Sequence, residues 1–161
     1  MPTLETAPST AIPNLMLEQS RIIRAPRARV YEAWTKPESL MQWFGPAEMH
    51  CPKATLDVRV GGNYRIEVVS NAAAAPGQAC SVAAAGGRYT QVVPNELLQF
   101  TWSPDWNLGE ESLVTVSFMD ARGGTQITIR HERFSSEASR DGHNKGWIGC
   151  LDKLEAQAET L

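Results

Sequence analysis

Apolar residues recur along this chain in two rhythms, helical and strand-like, and the switches between them divide the sequence into elements. From Leu15 to Arg24, LMLEQSRIIR is rich in aliphatic and β-branched residues and predicts a strand. Ala25-Pro26 ends it, because proline restricts its predecessor and carries no backbone donor. A helix is then expected with Pro26 near its first position. Val30, Ala33 and Trp34 stand at i, i+3 and i+4, opposite Arg27, Arg29, Glu32 and Lys36. Pro37 stops this helix and opens a second, short one. There Leu40 and Phe44 share a face, Met41 and Trp43 flank it, and Gly45-Pro46 forbids continuation.

Beyond a loop expected to hold His50 and Cys51, the period becomes two. ATLDVRV and NYRIEVV, joined at Gly61-Gly62, predict a hairpin with Tyr64, Ile66 and Val68 on one face. Residues 70–86, SNAAAAPGQACSVAAAG, read as a long hairpin connection whose second arm feeds the next strand. GRYTQVV and LLQFTW about Pro94-Asn95 place Leu98, Phe100 and Trp102 on one face. SLVTVSFMD and TQITIRHERF about the turn ARGG bring Val114, Val116 and Phe118 inward beside Ile127, Ile129 and His131. Trp147, Cys150, Leu151, Leu154, Ala158 and Leu161 then return at three- and four-residue steps, so one long helix closes the chain.

Strand, two short helices, six strands and a long helix make an α+β fold with a mostly antiparallel sheet of about seven strands. Such a sheet twists and curls. A helix about 30 Å long laid across its concave face leaves a cavity between helix and sheet, with Trp43 and Phe44 plugging or rimming one end.

The 161 residues and 42% apolar content fit one domain burying roughly 70% of its unfolded surface. Residues 1–13, rich in Pro, Thr, Ala and Ser, read as a flexible leader before a domain over 14–161. A formal charge of −3 without a basic block argues against nucleic acid. No apolar run is long enough to span a bilayer and the N-terminus lacks a secretory pattern, so a cytoplasmic protein that does not bind membranes is expected. Three cysteines, Cys51, Cys80 and Cys150, fit neither a disulfide framework nor a CxxC site.

The ordered set Ala25-Pro26, Trp34-Thr35 with Pro37, Trp43-Phe44-Gly45-Pro46, Gly61-Gly62, Gly87-Arg88-Tyr89 and Gly146-Trp147 resembles the START-like (SRPBCC, Bet v 1-like) superfamily. The resemblance runs from about Leu15 to Leu161 and is closest to the branch named for the activator of heat-shock-protein ATPase. It implies a helix-grip fold, in which the curved sheet wraps the C-terminal helix around a cavity for apolar small molecules. Members of the superfamily bind lipids, hormones or polyketides, a few act as cyclases or hydrolases, and the eponymous protein stimulates a chaperone. Fold analogy alone selects none of these.

Large aromatics converging on such an interior, Trp43, Phe44, Tyr64, Tyr89, Phe100, Trp102 and Trp147, are candidates for cavity lining, each weighed against plain core packing. Ile66 and Phe118 on the inward strand faces, and Cys150 and Leu151 on the helix, complete the candidate wall. Glycine costs about 0.8–1 kcal/mol in a helix interior relative to alanine, so Gly146 and Gly149 are expected to open room beside Trp147. His131 is the candidate polar group inside, set against a satisfied histidine at the sheet end. His50-Cys51, His131, His143 and Cys150 show no metal-site spacing; no metal or other cofactor is expected. Neither a nucleophile elbow nor a buried carboxylate pair is legible, so no catalytic residue is assigned.

The leading expectation is a small, largely apolar ligand held between helix and sheet. The alternatives are a chaperone-activating interaction module and, third, a cyclase or hydrolase using His131 or a tyrosine. A monomer and a homodimer fit equally.

Overall fold

A computed structural model describes residues 15–72 and 82–158. Seven antiparallel strands form one sheet in the order β1-β7-β6-β5-β4-β3-β2. They are β1 (Met16–Ile23), β2 (Met49–Leu56), β3 (Asn63–Ser70), β4 (Val82–Val93), β5 (Leu97–Pro104), β6 (Ser112–Ala121) and β7 (Gly124–Glu132). Helices α1 (Arg27–Thr35) and α2 (Pro37–Leu40) follow β1, and α3 (Glu137–Ala158) ends the order. The two short helices carry the chain from one edge of the sheet, β1, to the other, β2. The α+β helix-grip expectation holds.

Strand alternation does what the sequence implied. Tyr64, Ile66 and Val68, then Phe100 and Trp102, then Val114, Val116 and Phe118, then Ile127, Ile129 and His131 are all buried. From the helical side Trp147, Cys150, Leu151, Leu154 and Ala158 meet the same core. Polar ties hold α3 at both edges. On the β1 side Arg21 bridges Asp152 at 2.7 Å and Glu155 at 3.0 Å, and Gln19 donates to Asn144 Oδ1 at 2.6 Å. On the β2 side Lys153 Nζ donates to the carbonyls of Pro46 at 3.0 Å and Met49 at 2.7 Å.

Several boundaries depart from expectation. Pro26 is the N-cap of α1 and lies outside the helix. The second helix ends at Leu40, with a turn over residues 41–43 and Gly45 at φ +116, so Phe44 is swung inward by a turn. His50 and Cys51 lie within β2, not in a loop. Pro52, which has no N–H to pair, coincides with a register shift between His50 and Lys53; an edge strand tolerates both. The strand also stops at Leu56, four residues before the alternating pattern does. The Ala-rich connection contributes Val82–Gly86 to β4. Its centre, residues 73–81 with Cys80, lies outside the described residues, as do the leader, residue 14 and Leu161.

Gly149 does not open space. A Cβ there would lie 2.6 Å from the Ala47 backbone N, so this glycine lets α3 press against the loop after α2. At Gly142 a Cβ meets nothing within 4 Å, and at Gly146 only Pro46 Cγ at 3.7 Å. Alanine should therefore act with opposite sign at the two ends of this series. Urea unfolding is expected to show Gly142→Ala more stable by about 0.5–1 kcal/mol. Gly149→Ala should be less stable by about 1–3 kcal/mol, since overpacking outweighs its helical gain.

Candidate functional site

Between α3 and the strands β3, β4 and β5 lies a pocket of about 570 Å³. Its floor is two cross-strand pairs, Ile66 with Ala85 and Val68 with Ala83. Its roof is one face of α3, where Gly142, Gly146 and Cys150 follow at four-residue steps. Phe44, Trp102 and Trp147 form the inner wall. Phe44 meets Trp147 edge-on at 5.9 Å, and Trp102 meets Trp147 at 5.8 Å. At the mouth, Trp106 stacks on His143 with centroids 5.8 Å apart and planes 27° apart.

Two histidines fix the indoles. An indole N–H can only donate. Trp147 Nε1 donates to His131 Nδ1 at 3.0 Å, which places the His131 proton on Nε2. That Nε2–H donates to Ser112 Oγ at 2.7 Å, and Ser112 donates onward to the Trp102 carbonyl. Trp102 Nε1 in turn donates to His143 Nε2 at 3.1 Å, leaving His143 Nδ1–H for the Ser139 carbonyl at 2.8 Å. Burial, with nearby His143 as the lesser cause, pushes His131 down to about 2. It is a neutral, fully bonded group.

The mouth is held by a carboxylate that the sequence reading passed over. Glu110 is buried on the loop between β5 and β6 and accepts from Ser135 N and Oγ, from Ser139 Oγ and from Asn107 Nδ2. Burial alone would raise its carboxyl, but those donated bonds prevail and hold it below the usual range. The loop is thereby tied to the start of α3. Trp106 and Leu108 stand on it 53% and 87% exposed.

Of the residues singled out in the sequence, Phe44, Ile66, Trp102, Gly146, Trp147 and Cys150 border the pocket. The others lie elsewhere. Trp43 is buried behind the wall and donates to the Ala33 carbonyl at 3.0 Å. Tyr64, Tyr89 and Phe100 enclose a void of only about 10 Å³, and the Tyr64 hydroxyl is spent on the Thr101 carbonyl. Phe118 packs edge-on against Tyr31 at 5.4 Å, and Leu151 is wholly enclosed. His131 has both nitrogens committed and borders no part of the pocket, against the expectation of a polar group facing a guest. Trp106, Asn107, Ser136, Ser139 and Gly142 were not foreseen as lining. An exposed tryptophan in the polar run PDWNLGEE was the available signal.

Chemically, the pocket is apolar with one polar end. Burial pushes the Cys150 thiol up to about 12, which keeps it protonated and a poor nucleophile. Among the described residues no three His, Cys, Asp or Glu side chains converge as for a metal, and no helix is long and apolar enough to cross a membrane.

The model of the family described as activator of Hsp90 ATPase homolog 1-like protein matches residues 24–159. Comparison with curated proteins gives no match. Among solved structures, a protein from Chromobacterium violaceum is 28% identical with a TM-score of 0.79, over 90% of this chain and 97% of that one. A protein from Rhizobium leguminosarum is 29% identical at TM-score 0.71, over 92% and 96%. The AHSA1 protein of Silicibacter pomeroyi, 24% identical at TM-score 0.76 over 90% and 98%, shares the fold.

A neutral buried His131 makes stability pH-dependent in one direction. Its folded pKa lies below the ordinary value near 6.5, so between them the unfolded chain binds a proton that the folded chain does not. Stability is then lost as pH falls below about 6.5. From pH 7 to pH 5 the native chain should lose about 2 kcal/mol more unfolding free energy than His131→Gln. Equal losses in urea titrations would show that His131 titrates alike in the folded and unfolded chain.

Proposed function

Because this chain belongs to the activator of Hsp90 ATPase homolog 1-like family, whose solved relatives share its fold, we propose that it holds a small, largely apolar molecule between α3 and the sheet. One observation carries the reading: an open pocket of about 570 Å³ whose walls are mostly aromatic and aliphatic. That volume falls within the roughly 300–1,000 Å³ range of small-molecule sites. Burying apolar ligand surface there gains roughly 25 cal/mol per Å² without rearranging the walls, whose indoles are already fixed by hydrogen bonds.

Of the groups considered for proton transfer in the enzymatic alternative, His131 faces Trp147 and Ser112 and no tyrosine lines the pocket among the described residues, so binding is the better-supported reading. A chaperone-stimulating surface, which the family's description suggests, draws on one feature, the exposed Trp106 and Leu108 on a single loop.

Native mass spectrometry of the protein from its own cells, set beside its denatured mass, should reveal a co-purifying small molecule. Recovery of a chaperone with no bound molecule would favour the surface reading. In a Nile red titration, Gly146→Leu should weaken binding by about tenfold or more by filling the roof of the pocket. Unchanged Nile red affinity in that variant would sink the proposed location.

A further inference from the structure

Resting on that reading of the pocket, we infer that its ligand is a flat, rigid, uncharged ring system carrying a hydroxyl at the end nearest the start of α3. Three features of this chain point there.

The first is shape. The roof lacks side chains at Gly142 and Gly146 and bears only a thiol at Cys150, while two of the floor residues are the alanines Ala83 and Ala85. The small-residue stripe of the roof runs about 12 Å, the rise of eight helical residues, and the two alanines flatten part of the floor beside Ile66 and Val68. The end walls are rings: Phe44, Trp102 and Trp147 inside, and the stacked Trp106–His143 pair at the mouth. A planar aromatic ligand can stack offset or edge-on against these rings, an interaction that an alkyl chain of equal area does not make. An alkyl chain would also lose rotamer freedom in the pocket, which a fused ring does not have to lose.

Charge is the second feature. Among the described residues no lysine or arginine borders the pocket. Lys153, whose ammonium lies near Cys150, is committed to the Pro46 and Met49 carbonyls. Behind the polar end lies the Glu110 carboxylate, bonded to Asn107 and Ser139, both of which line the pocket. An anionic headgroup would enter without a counter-charge and beside a like charge, which is costly.

The third feature is a pair of polar groups at that same end, on half-buried Asn107 and exposed Ser136, that the protein itself leaves to solvent or to a guest. Asn107 Nδ2 donates to Glu110 at 3.1 Å, which fixes the amide orientation because a carboxylate only accepts. Among the described residues Asn107 Oδ1 then has no side-chain or backbone donor. Ser136 Oγ accepts from Ser139 N at 3.1 Å, and its own proton has no acceptor among them. His143 is fully used by Trp102 and Ser139. One acceptor and one donor match a ligand hydroxyl, which would donate to Asn107 Oδ1 and accept from Ser136.

Four probes that vary shape and charge independently test this: hydroxypyrene, pyrene carboxylate, dodecanol and dodecanoate, with unsubstituted pyrene as control. Hydroxypyrene should bind about tenfold or more tightly than any of the other three. Asn107→Ala and Ser136→Ala should each weaken hydroxypyrene by about threefold to tenfold more than they weaken pyrene, the scale of one neutral hydrogen bond. Gly142→Leu, whose Cβ meets no neighbour within 4 Å and which should fold, should exclude both pyrenes. Tighter or equal binding of dodecanol, dodecanoate or pyrene carboxylate would overturn the ligand class while leaving the pocket reading intact. Equal loss of pyrene and hydroxypyrene in the Asn107 and Ser136 variants would overturn the hydroxyl assignment. Failure of all five compounds, with no co-purifying molecule, would remove the pocket reading and this inference together.

Discussion

The hydrogen bond from the Trp147 indole to buried His131 sets how far α3 can approach the sheet, and the pocket depends on it. An indole wedged between helix and β7 acts as a spacer. Its N–H needs a partner in a dry environment, where leaving it bare would cost about 1–3 kcal/mol. His131 supplies that partner only while neutral, and its other nitrogen is occupied by Ser112, which bonds onward to the Trp102 backbone. The relay therefore couples two ring walls through one side chain on β7. Edge ties at Arg21 and Lys153 then hold the helix in place over the curved sheet.

The grip is asymmetric, which decides where space remains. Toward its C-terminal end α3 buries Leu151, Leu154 and Ala158 and presses Gly149 onto the loop at residues 46–47. Toward its N-terminal end His143 and Trp147 reach the sheet through Trp102 and His131, while Gly142 and Gly146, also lining the pocket, bear no side chain and leave the space between open. Each such glycine costs about 1 kcal/mol of helical stability relative to alanine. The Glu110 cluster offsets some of that by tying the first turn of α3 to the loop between β5 and β6. One end of the helix is thus a packed core element, and the other is a roof.

The fold was legible because its signals were local and redundant. Period-two alternation in β3, β5, β6 and β7 and helical recurrence from Trp147 to Ala158 each specify which side faces in, and both sets agree. Pro52 shows where local reading fails: proline argues against a strand, yet β2 is an edge, where the missing donor costs little. The site was legible only in part. Burial is readable from period, but pocket lining depends on which buried residues lack a neighbour opposite, a tertiary property. Tyr64, Tyr89 and Phe100 were indistinguishable in sequence from Phe44 and Trp102, and they close on one another because their rings meet at 5.3 to 5.9 Å. Gly146 and Gly149, three residues apart, have opposite roles because a loop from elsewhere in the chain touches one and leaves the other nearly free.

The loop after β5 combines a rigid root with an apolar tip. Glu110 accepts four hydrogen bonds at the root, while Trp106 stacks on His143 and leaves about half of its surface to solvent. An exposed indole at a pocket mouth carries unsatisfied apolar area that either a guest or a partner surface could cover. Its contact with His143, whose Nε2 already holds Trp102, places it in line with the inner wall, so the rings extend continuously from Phe44 to the mouth. On the proposed reading, a guest entering along that line would exchange water for aromatic surface and would cover part of Trp106, whose loop is anchored by Glu110.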